Sequence, residues 1–368
     1  MLRWIIFLGI MLVIDFYAYQ GIKTLSRNRW ITFGYWVFSL VILANFVYTL
    51  STIDRSSGLT QQWMLAFGLL ILSLTPKLMT ILILFGEDMY RIVRMLWDFF
   101  NRQAGDAGLQ DRREVISKIA LGLAAIPFAS VLYGMIRGKY NFKVIQHTLY
   151  FNDLPAAFDG FKLTHISDIH SGSFDNEERI AYGIDLINQQ ECDLLFFTGD
   201  IVNNRAEEMD KWIPYFSKLK ARYGKYSILG NHDYGDYTNW KTTEEKEKNF
   251  QNIKDIHPKI GFDLLLNDSA YIEKGGARLA VIGVENWGTR FKKAGDLNKA
   301  SEVVNDSDFK ILMTHDPSHW DAEVKEHPKK FHLTLSGHTH GMQFGIEIPG
   351  IKWSPVQYVY KQWAGIYE

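Results

Sequence analysis

Long apolar runs dominate the first 140 residues of the chain. Four segments, at about 4–20, 31–50, 63–85 and 115–136, meet or approach the roughly 20 apolar residues that a helix needs to cross a bilayer core. No charged residue interrupts 31–50, which disfavours the alternative that these helices form the buried core of a soluble domain. No small-residue cleavage pattern follows the first segment, so a cleaved signal peptide is not predicted. The pattern predicts an all-α membrane domain of about four transmembrane helices over residues 1–138.

From about residue 141 the chain changes to short apolar stretches that are rich in β-branched and aromatic residues and that each end in a polar cluster. Such stretches are typical of strands, whereas 177–189 and 207–220 have the apolar spacing of helices. Five predicted strands are followed by the clusters Asp168-Ile169-His170, Gly199-Asp200, Gly230-Asn231-His232-Asp233, His315-Asp316-Pro317 and Gly337-His338-Thr339-His340. Because α/β sheets place their sites at the carboxyl ends of strands, we expect an α/β domain in which these clusters meet.

Composition and charge exclude several classes of protein. Hydrophobic residues make up 47% of the chain and aromatic residues 14%, which excludes intrinsic disorder for most of it. The 40 Lys and Arg residues balance 41 Asp and Glu residues, so the basic surface that a nucleic-acid partner needs is not expected. The single cysteine, Cys192, excludes an internal disulfide and a thiolate-bound zinc site.

The polar clusters contain residue types that bind metal ions. Each cluster alone is weak evidence, because short motifs of this kind are common in loops. Five of the eleven histidines nevertheless fall in these clusters, namely His170, His232, His315, His338 and His340. Carboxylate, amide and imidazole groups without thiolates suit manganese, iron or zinc better than a closed structural zinc site. The joint pattern therefore predicts a metal centre.

The order D-x-H, G-D, G-N-H-D, H and G-H-T-H resembles that of the calcineurin-like metallophosphoesterase superfamily, over roughly residue 145 to the end. The preceding apolar segments resemble the membrane-anchored bacterial branch of that superfamily. The resemblance implies a four-layer αββα sandwich over 144–368, with two central mixed sheets flanked by helices. Two departures stand out. Met342 follows Gly341 where many relatives have a second glycine, and relatives usually continue beyond the position of Glu368, so a C-terminal truncation is one interpretation.

Carried over by motif position, the resemblance implies two divalent metal ions (Mn, Fe or Zn). Asp168, His170 and His340 would hold the first. Asn231, His315 and His338 would hold the second, and Asp200 would bridge both. His232 would stand beside the leaving group, with Asp233 as its orienting partner.

The activity implied is that of a metal-dependent phosphoesterase, which cleaves a phosphoester or pyrophosphate bond by attack of a metal-bridging hydroxide. The substrate expected is a phosphorylated small molecule or a lipid. Asn286 and Arg290 follow a predicted strand and are candidate substrate contacts, since an arginine fork suits phosphate; the alternative is a structural loop. A second function class is a non-enzymatic metal-containing interaction or regulatory domain on a membrane scaffold. Such a domain would be expected to have lost a ligand or His232.

Loop charges predict the orientation of this multi-pass integral membrane protein. The second loop carries only Arg55, whereas the first carries Lys23, Arg27 and Arg29 and the third carries Arg91, Arg94, Arg102, Arg112 and Arg113. The first and third loops are therefore predicted to be cytoplasmic, with the catalytic domain on the periplasmic or extracellular side. Arg112-Arg113 before an apolar run resembles a twin-arginine export signal, and the alternative is ordinary cytoplasmic arginines at the foot of a span.

Two ionisable residues, Asp15 and Lys77, lie inside the predicted spans. Counted from Trp4 and Trp63 at about 1.5 Å per residue, their depths in the first and third spans differ by only about 4.5 Å. Because an unpaired charge in a bilayer costs several kcal/mol, we expect these two side chains to form an ion pair. The alternative is that they snorkel to the interface or face a wet cavity.

Overall fold

The computed structural model describes residues 2–52, 60–101, 109–341 and 345–368, without the side chains of 109–111. The chain divides into two compact units, one within the first 141 residues and the other from Phe142 to Glu368. Three positions named in the sequence analysis, Arg55, Arg102 and Met342, lie outside the described residues.

The first unit consists of four long helices. They are α1 (Leu2–Leu25), α2 (Arg29–Thr52), α3 (Gln61–Phe100) and α4 (Leu109–Ile136). Each contains a stretch that is long and apolar enough to cross a membrane. The predicted all-helical region of four long apolar helices is therefore confirmed, although α3 runs without a break from the predicted span through Phe100.

The predicted ion pair between the first and third helices is confirmed. Lys77 Nζ lies 2.5 Å from Asp15 Oδ1, and the two side chains are only 11% and 5% exposed. Lys77 also donates to Ser73 Oγ at 2.6 Å, and the Tyr35 hydroxyl donates to the Asp15 carbonyl at 2.7 Å. Because a buried charge is costly unless it is paired and hydrogen-bonded, this group joins α1, α2 and α3.

Arg112 and Arg113 both make contacts within the helical unit. Arg113 Nη1 donates to Glu87 Oε2 at 2.7 Å and to Asp88 Oδ1 at 2.6 Å. The Arg112 guanidinium lies over the Tyr90 ring, 3.7 Å from its centroid. These contacts join α4 to α3, and both interpretations of the arginine pair stay predictions.

The second unit is an α/β domain. Its strands are β1 (Leu163–Ile166), β2 (Leu194–Phe197), β3 (Gly224–Ser227), β4 (Asp263–Leu264), β5 (Asp268–Lys274), β6 (Ala277–Gly283), β7 (Phe309–Met313), β8 (Leu333–Leu335), β9 (Ile346–Ile348) and β10 (Ile351–Trp353). Its helices are α5 (Glu177–Asn188), α6 (Ile213–Phe216), α7 (Thr243–Lys259), α8 (Leu297–Ser301) and α9 (Ser318–Ala322).

The helix predicted over 177–189 is confirmed as α5, and the Asn176 side chain caps it by accepting the Arg179 N–H. The helix predicted over 207–220 is wrong in extent. Ala206–Met209 forms a 3₁₀ turn, and α6 covers only Ile213–Phe216. Pro214 has no backbone N–H and is best accommodated in the first turn of a helix, which agrees with a short helix that begins at Ile213.

Two four-stranded sheets form the centre of this domain. The first has the order β1-β2-β3-β4 and is parallel throughout, whereas the second, β5-β6-β7-β8, is mixed because only β5 and β6 are antiparallel. The first sheet therefore differs from the expected mixed sheet. The strands β9 and β10 form a separate antiparallel pair.

Apolar side chains hold the sheets together as layers. Phe196 and Tyr226 of the first sheet belong to one buried cluster with Val281 and Ile311 of the second. On the outer face of the second sheet, Ile282 and Leu312 pack in a cluster with Leu297 of α8. On the outer face of the first sheet, the Phe197 ring stacks on His257 of α7. The predicted four-layer αββα sandwich is thus confirmed.

Candidate metal centre

The predicted metal-binding residues lie at the carboxyl ends of strands from both sheets. Asp168 and His170 follow β1, Asp200 follows β2, Asn231 follows β3, His315 follows β7, and His338 and His340 follow β8. Strand ends in α/β folds splay into a crevice, and the loops that leave them can meet there. The structure brings all seven of these side chains together at this edge.

The backbone at this edge is unusual. Asp168, His170, Asp200, His338 and His340 have φ between 46° and 69°, and they are five of the seven non-glycine residues with positive φ in the described part of the chain. This left-handed conformation is disfavoured for residues with a Cβ, by about 1–3 kcal/mol each. It turns the chain sharply at each strand end, and its concentration here is typical of a functional site.

One group of donor atoms comes from Asp168, His170 and His340, whose ligand atoms lie within 4.8 Å of one another. His170 Nε2 lies 3.0 Å from His340 Nε2, and His340 Nε2 lies 3.5 Å from Asp168 Oδ1. Two imidazole nitrogens that face each other at this distance need either a shared proton or a cation between them. This group could hold one metal ion.

A second group comes from Asn231, His315 and His338. His315 Nε2 lies 3.0 Å from Asn231 Oδ1, and His338 Nδ1 lies 2.7 Å from the same oxygen and 3.2 Å from His315 Nε2. Asp200 Oδ2 lies 3.2 Å from His315 Nε2 and 3.5 Å from His170 Nε2. The Asp200 carboxylate therefore faces donor atoms of both groups.

The spacing of these donor atoms fits a metal centre. Ligand atoms about 2.1 Å from a tetrahedral or octahedral ion lie roughly 3.0–3.4 Å apart. Most of the contacts in the two groups fall near that range. The chemistry of the donors agrees, since carboxylate, amide and imidazole groups suit divalent ions of the manganese, iron and zinc type.

The electrostatics of the centre attract positive charge. Burial lowers the pKa of His170 and of His338 to about 4, which keeps both rings neutral, as metal ligation requires. His315 is the exception: burial alone would lower its pKa, but the Asp200 carboxylate outweighs this effect and raises it to about 10. A proton or a metal cation at His315 Nε2 would satisfy the same negative charge.

His232 lies beside both groups with one ring nitrogen already bonded. Its Nδ1 lies 2.7 Å from the Asn203 carbonyl oxygen, and since a carbonyl can only accept, Nδ1 carries the proton. The ring stacks on Tyr237 at 4.4 Å and meets His170 edge-on at 4.7 Å. Its backbone N–H donates to Asp200 Oδ1 at 2.8 Å. This arrangement leaves His232 Nε2 available for proton transfer.

The expectation that Asp233 orients His232 is wrong. The Asp233 carboxylate, which is fully buried, accepts the backbone N–H groups of Asp200, Ile201 and Gly230 at 2.8–2.9 Å. The Asp233 carboxylate therefore joins the loop after β2 to the loop after β3. The group that orients the His232 ring is the backbone carbonyl of Asn203.

The two candidate substrate contacts differ in their placement. Asn286 is fully buried, and its side chain donates to the Lys292 carbonyl at 2.7 Å, so the prediction that it faces substrate is wrong. Its position is explained by its part in closing the 286–295 loop. Arg290 in the same loop is exposed, and its neighbour Phe291 packs edge-on against His338 at 4.8 Å. Arg290 stays a prediction.

Two tyrosines that the sequence analysis missed contact the second group directly. Asn231 Nδ2 donates to the Tyr237 hydroxyl at 2.8 Å, and His338 Nε2 lies 2.8 Å from the Tyr360 hydroxyl. Tyr237 follows the G-N-H-D cluster in the chain, which is the one local signal that could have identified it. Tyr360 belongs to none of the clusters and lies 22 residues after His338.

Comparison with known proteins gives two family matches. Residues 2–139 match a family described as "Probable Calcineurin-like phosphoesterase, transmembrane domain", and residues 161–342 match the family "Calcineurin-like phosphoesterase".

Similar proteins occur in bacteria and animals. The uncharacterized metallophosphoesterase YkuE of Bacillus subtilis is 32% identical over 59% of this chain and 71% of its own length. The uncharacterized metallophosphoesterase YkoQ of the same bacterium is 26% identical over 61% of this chain and 77% of its own. A transmembrane protein with metallophosphoesterase domain from Danio rerio is 23% identical over 63% of this chain, but the match spans only 51% of that protein.

Proposed function

The chain belongs to the calcineurin-like metallophosphoesterase family, and from this premise we propose that it is a membrane-anchored hydrolase that uses two divalent metal ions to cleave a phosphoester or pyrophosphate bond. One observation carries the proposal: Asp200 Oδ2 lies between the two donor groups, 3.5 Å from His170 Nε2 and 3.2 Å from His315 Nε2. A carboxylate in that position could serve as a ligand of two neighbouring cations at once.

The ligands of each ion are assigned from the two groups. Asp168, His170 and His340 would hold the first ion, Asn231, His315 and His338 would hold the second, and Asp200 would serve both. When bound, the two ions would polarise the phosphoryl oxygens and lower the pKa of an attacking water. Manganese, iron and zinc all suit these donors.

The protein side chains supply positioning and a proton. The His232 backbone N–H holds Asp200 Oδ1 at 2.8 Å, which leaves Oδ2 to face both donor groups. The His232 ring, with its Nδ1–H fixed on the Asn203 carbonyl, can present Nε2 to the departing oxygen. We assign His232, in its doubly protonated form, as the general acid: it donates the Nε2 proton that an alkoxide leaving group requires and is left neutral, with its remaining proton on Nδ1.

The alternative, a non-enzymatic metal-containing domain on a membrane scaffold, is disfavoured by the same geometry. Such a domain would be expected to have lost a ligand or His232, and here the ligand set is complete and His232 is present. All seven ligand residues and His232 lie at one edge of the sandwich.

The substrate proposed is an anionic phosphorylated molecule, and a lipid-linked one fits a domain that follows four membrane helices in the same chain. Arg290 is the proposed contact for a second anionic group, because its guanidinium is exposed beside the loop residue that packs on His338. Replacing Arg290 with alanine should raise KM by about tenfold for a substrate with two anionic groups, the scale of one charge-assisted hydrogen bond. Steady-state kinetics would check this, with the exposed Arg179→Ala as control. An equal KM for both variants contradicts the contact.

The proposed hydrolysis can be tested on the full chain in detergent with chromogenic phosphodiester and phosphomonoester substrates. Chelation should abolish turnover, and added Mn²⁺ should restore it, because the ligand set holds the ions that activate the phosphoryl group. Metal content is measured on the same sample. Full turnover of a metal-free sample would contradict the two-metal hydrolase.

The side of the membrane on which the site lies can be determined with the same substrates in sealed vesicles. The loop charges support a catalytic domain on the periplasmic or extracellular side, and in that case right-side-out vesicles should hydrolyse an impermeant substrate. Activity confined to inside-out vesicles would place the site in the cytoplasm without affecting the proposed chemistry.

A further inference from the structure

Three histidines of the centre each bond to an acceptor through the ring nitrogen that faces away from the other donor atoms. His315 Nδ1 lies 2.7 Å from the Thr198 carbonyl, and His232 Nδ1 lies 2.7 Å from the Asn203 carbonyl. For His338 the partner is a side chain, the Tyr360 hydroxyl, which lies 2.8 Å from Nε2 and can either donate or accept. The Asp316 carboxylate, 3.8 Å from the same Nε2, favours a proton on that nitrogen and therefore the hydroxyl as the acceptor. An acceptor behind one ring nitrogen fixes the proton there and leaves the other nitrogen free as a ligand. The Tyr360 hydroxyl therefore favours the tautomer in which His338 Nδ1 faces Asn231 and His315.

A second tyrosine acts in the same way on Asn231. The Asn231 side chain has one ligating oxygen and one amino group, and an unrestrained amide can rotate to present either. The amino group donates to the Tyr237 hydroxyl at 2.8 Å. Oδ1 is thereby directed at His315 and His338, at 3.0 and 2.7 Å.

We propose that Tyr237 and Tyr360 are positioning residues for one metal position, the one formed by Asn231, His315 and His338. The proposal rests on the ligand assignment of the proposed function and deepens it. Neither hydroxyl bonds to Asp168 or His170 in the described part of the chain; Asp168 is held instead by the His338 backbone N–H at 2.9 Å. The two tyrosines therefore act on one position of the pair.

The surroundings suit both hydroxyls for this role. The Tyr237 ring stacks on His232 at 4.4 Å, and the Tyr360 ring meets His338 edge-on at 5.3 Å, so both phenols are held against the centre. Asp316 strengthens the arrangement at His338. Its carboxylate is fully buried, and Oδ2, which has no hydrogen-bond partner in the described structure, lies 3.8 Å from His338 Nε2. This carboxylate favours a proton on His338 Nε2, the same nitrogen that bonds to the Tyr360 hydroxyl.

The two tyrosines come from segments that are far apart in the chain. Tyr237 belongs to the loop after β3, and Tyr360 to the segment after β10. That C-terminal segment also accepts the Thr339 hydroxyl through the Trp363 carbonyl at 2.7 Å. The C-terminal segment thus holds the 337–341 loop at His338 and at Thr339. Replacing Tyr360 with phenylalanine removes the first of these contacts by the loss of one oxygen atom.

The test is metal binding by the full chain in detergent, with Tyr237→Phe and Tyr360→Phe compared with the wild type. Each change removes one oxygen and keeps the ring. Calorimetric titration of each metal-free variant with Mn²⁺ should give two binding events. Compared with the wild type, the affinity of one event should fall about 10- to 100-fold, and that of the other should be unchanged. Raised Mn²⁺ should restore kcat. Tyr358→Phe is the control, because its hydroxyl lies in the same segment and accepts the Trp353 indole N–H at 3.2 Å.

Wild-type affinity at both positions in the two variants would overturn the proposal, and so would equal weakening of both positions. A wild-type chain that binds two ions and hydrolyses none of the substrates would refute the hydrolase alone, and the titration would still decide the role of the tyrosines. Normal wild-type hydrolysis with unchanged titrations in both variants would refute the positioning role alone.

Discussion

Replacing Asp200 with asparagine is expected to lower kcat by on the order of 10³-fold, even at saturating Mn²⁺. The substitution preserves the shape of the side chain and removes the negative charge that faces both donor groups. A bridging carboxylate serves two ions, and the charge stabilisation that they supply to the transition state amounts to several kcal/mol. At about 1.4 kcal/mol for each factor of ten, the loss corresponds to roughly three orders of magnitude. The measurements are kcat and the metal content of the purified variant.

Asp193 provides a matched control on the same strand. It lies at the opposite end of β2, is buried, and accepts the Lys162 backbone N–H at 2.9 Å, far from the donor groups. The Asp193→Asn variant should lose some stability and keep its kcat. Wild-type turnover in Asp200→Asn, or an equal loss of kcat in both variants, would remove Asp200 from the centre of the mechanism.

The positions of the candidate ligands could be predicted because each follows a recognisable strand. β2 is Leu-Leu-Phe-Phe, buried on both faces as in other sheets covered by helices, and Asp200 comes three residues after its last residue. The apolar run indicates the strand, and the polar residues after it indicate its carboxyl end, where α/β sheets place their sites. The Asp15–Lys77 pair was predictable for a related reason, since an apolar environment leaves a charge few other partners.

The contacts that hold the ligands could not be predicted. His232 is oriented by the backbone carbonyl of Asn203. Every residue of the chain has such a carbonyl, so no residue type marks Asn203 for this role. The resemblance implies that Asp233 orients His232, whereas the Asp233 carboxylate turns inward to backbone N–H groups. Adjacent residues in a tight turn point in different directions, and only the backbone conformation decides which.

The prediction that Asn286 faces substrate is wrong for a similar reason. A polar residue after a strand is equally suited to binding a ligand or to closing its own loop. Asn286 closes its loop, with its side chain on the Lys292 carbonyl and its own carbonyl accepting the N–H groups of Ala294 and Gly295. Tyr360 shows the converse, because a residue in a segment with no motif reaches His338 through tertiary structure alone.

Replacing His232 with glutamine is expected to lower kcat by roughly 10²- to 10⁴-fold, the usual contribution of a general acid, while the metal content stays near that of the wild type. The reason is that His232 already uses Nδ1 on the Asn203 carbonyl and contributes to neither assigned ligand set. His338→Gln should instead lose metal, because His338 Nδ1 faces Asn231 and His315 directly. Metal analysis and kcat are measured on the same preparations, with the surface variant His327→Gln as control.

The leaving group separates proton donation from a merely structural role of His232. A nitrophenolate departs without a proton, whereas an alkoxide requires one, so His232→Gln should impair hydrolysis of alkyl phosphoesters far more than that of nitrophenyl phosphoesters. An imidazole that only supported the loop through the Asn203 carbonyl would, when removed, slow both substrates by the same factor. An equal reduction for the two leaving groups would therefore exclude His232 as the general acid, and a metal loss matching that of His338→Gln would place it among the ligands.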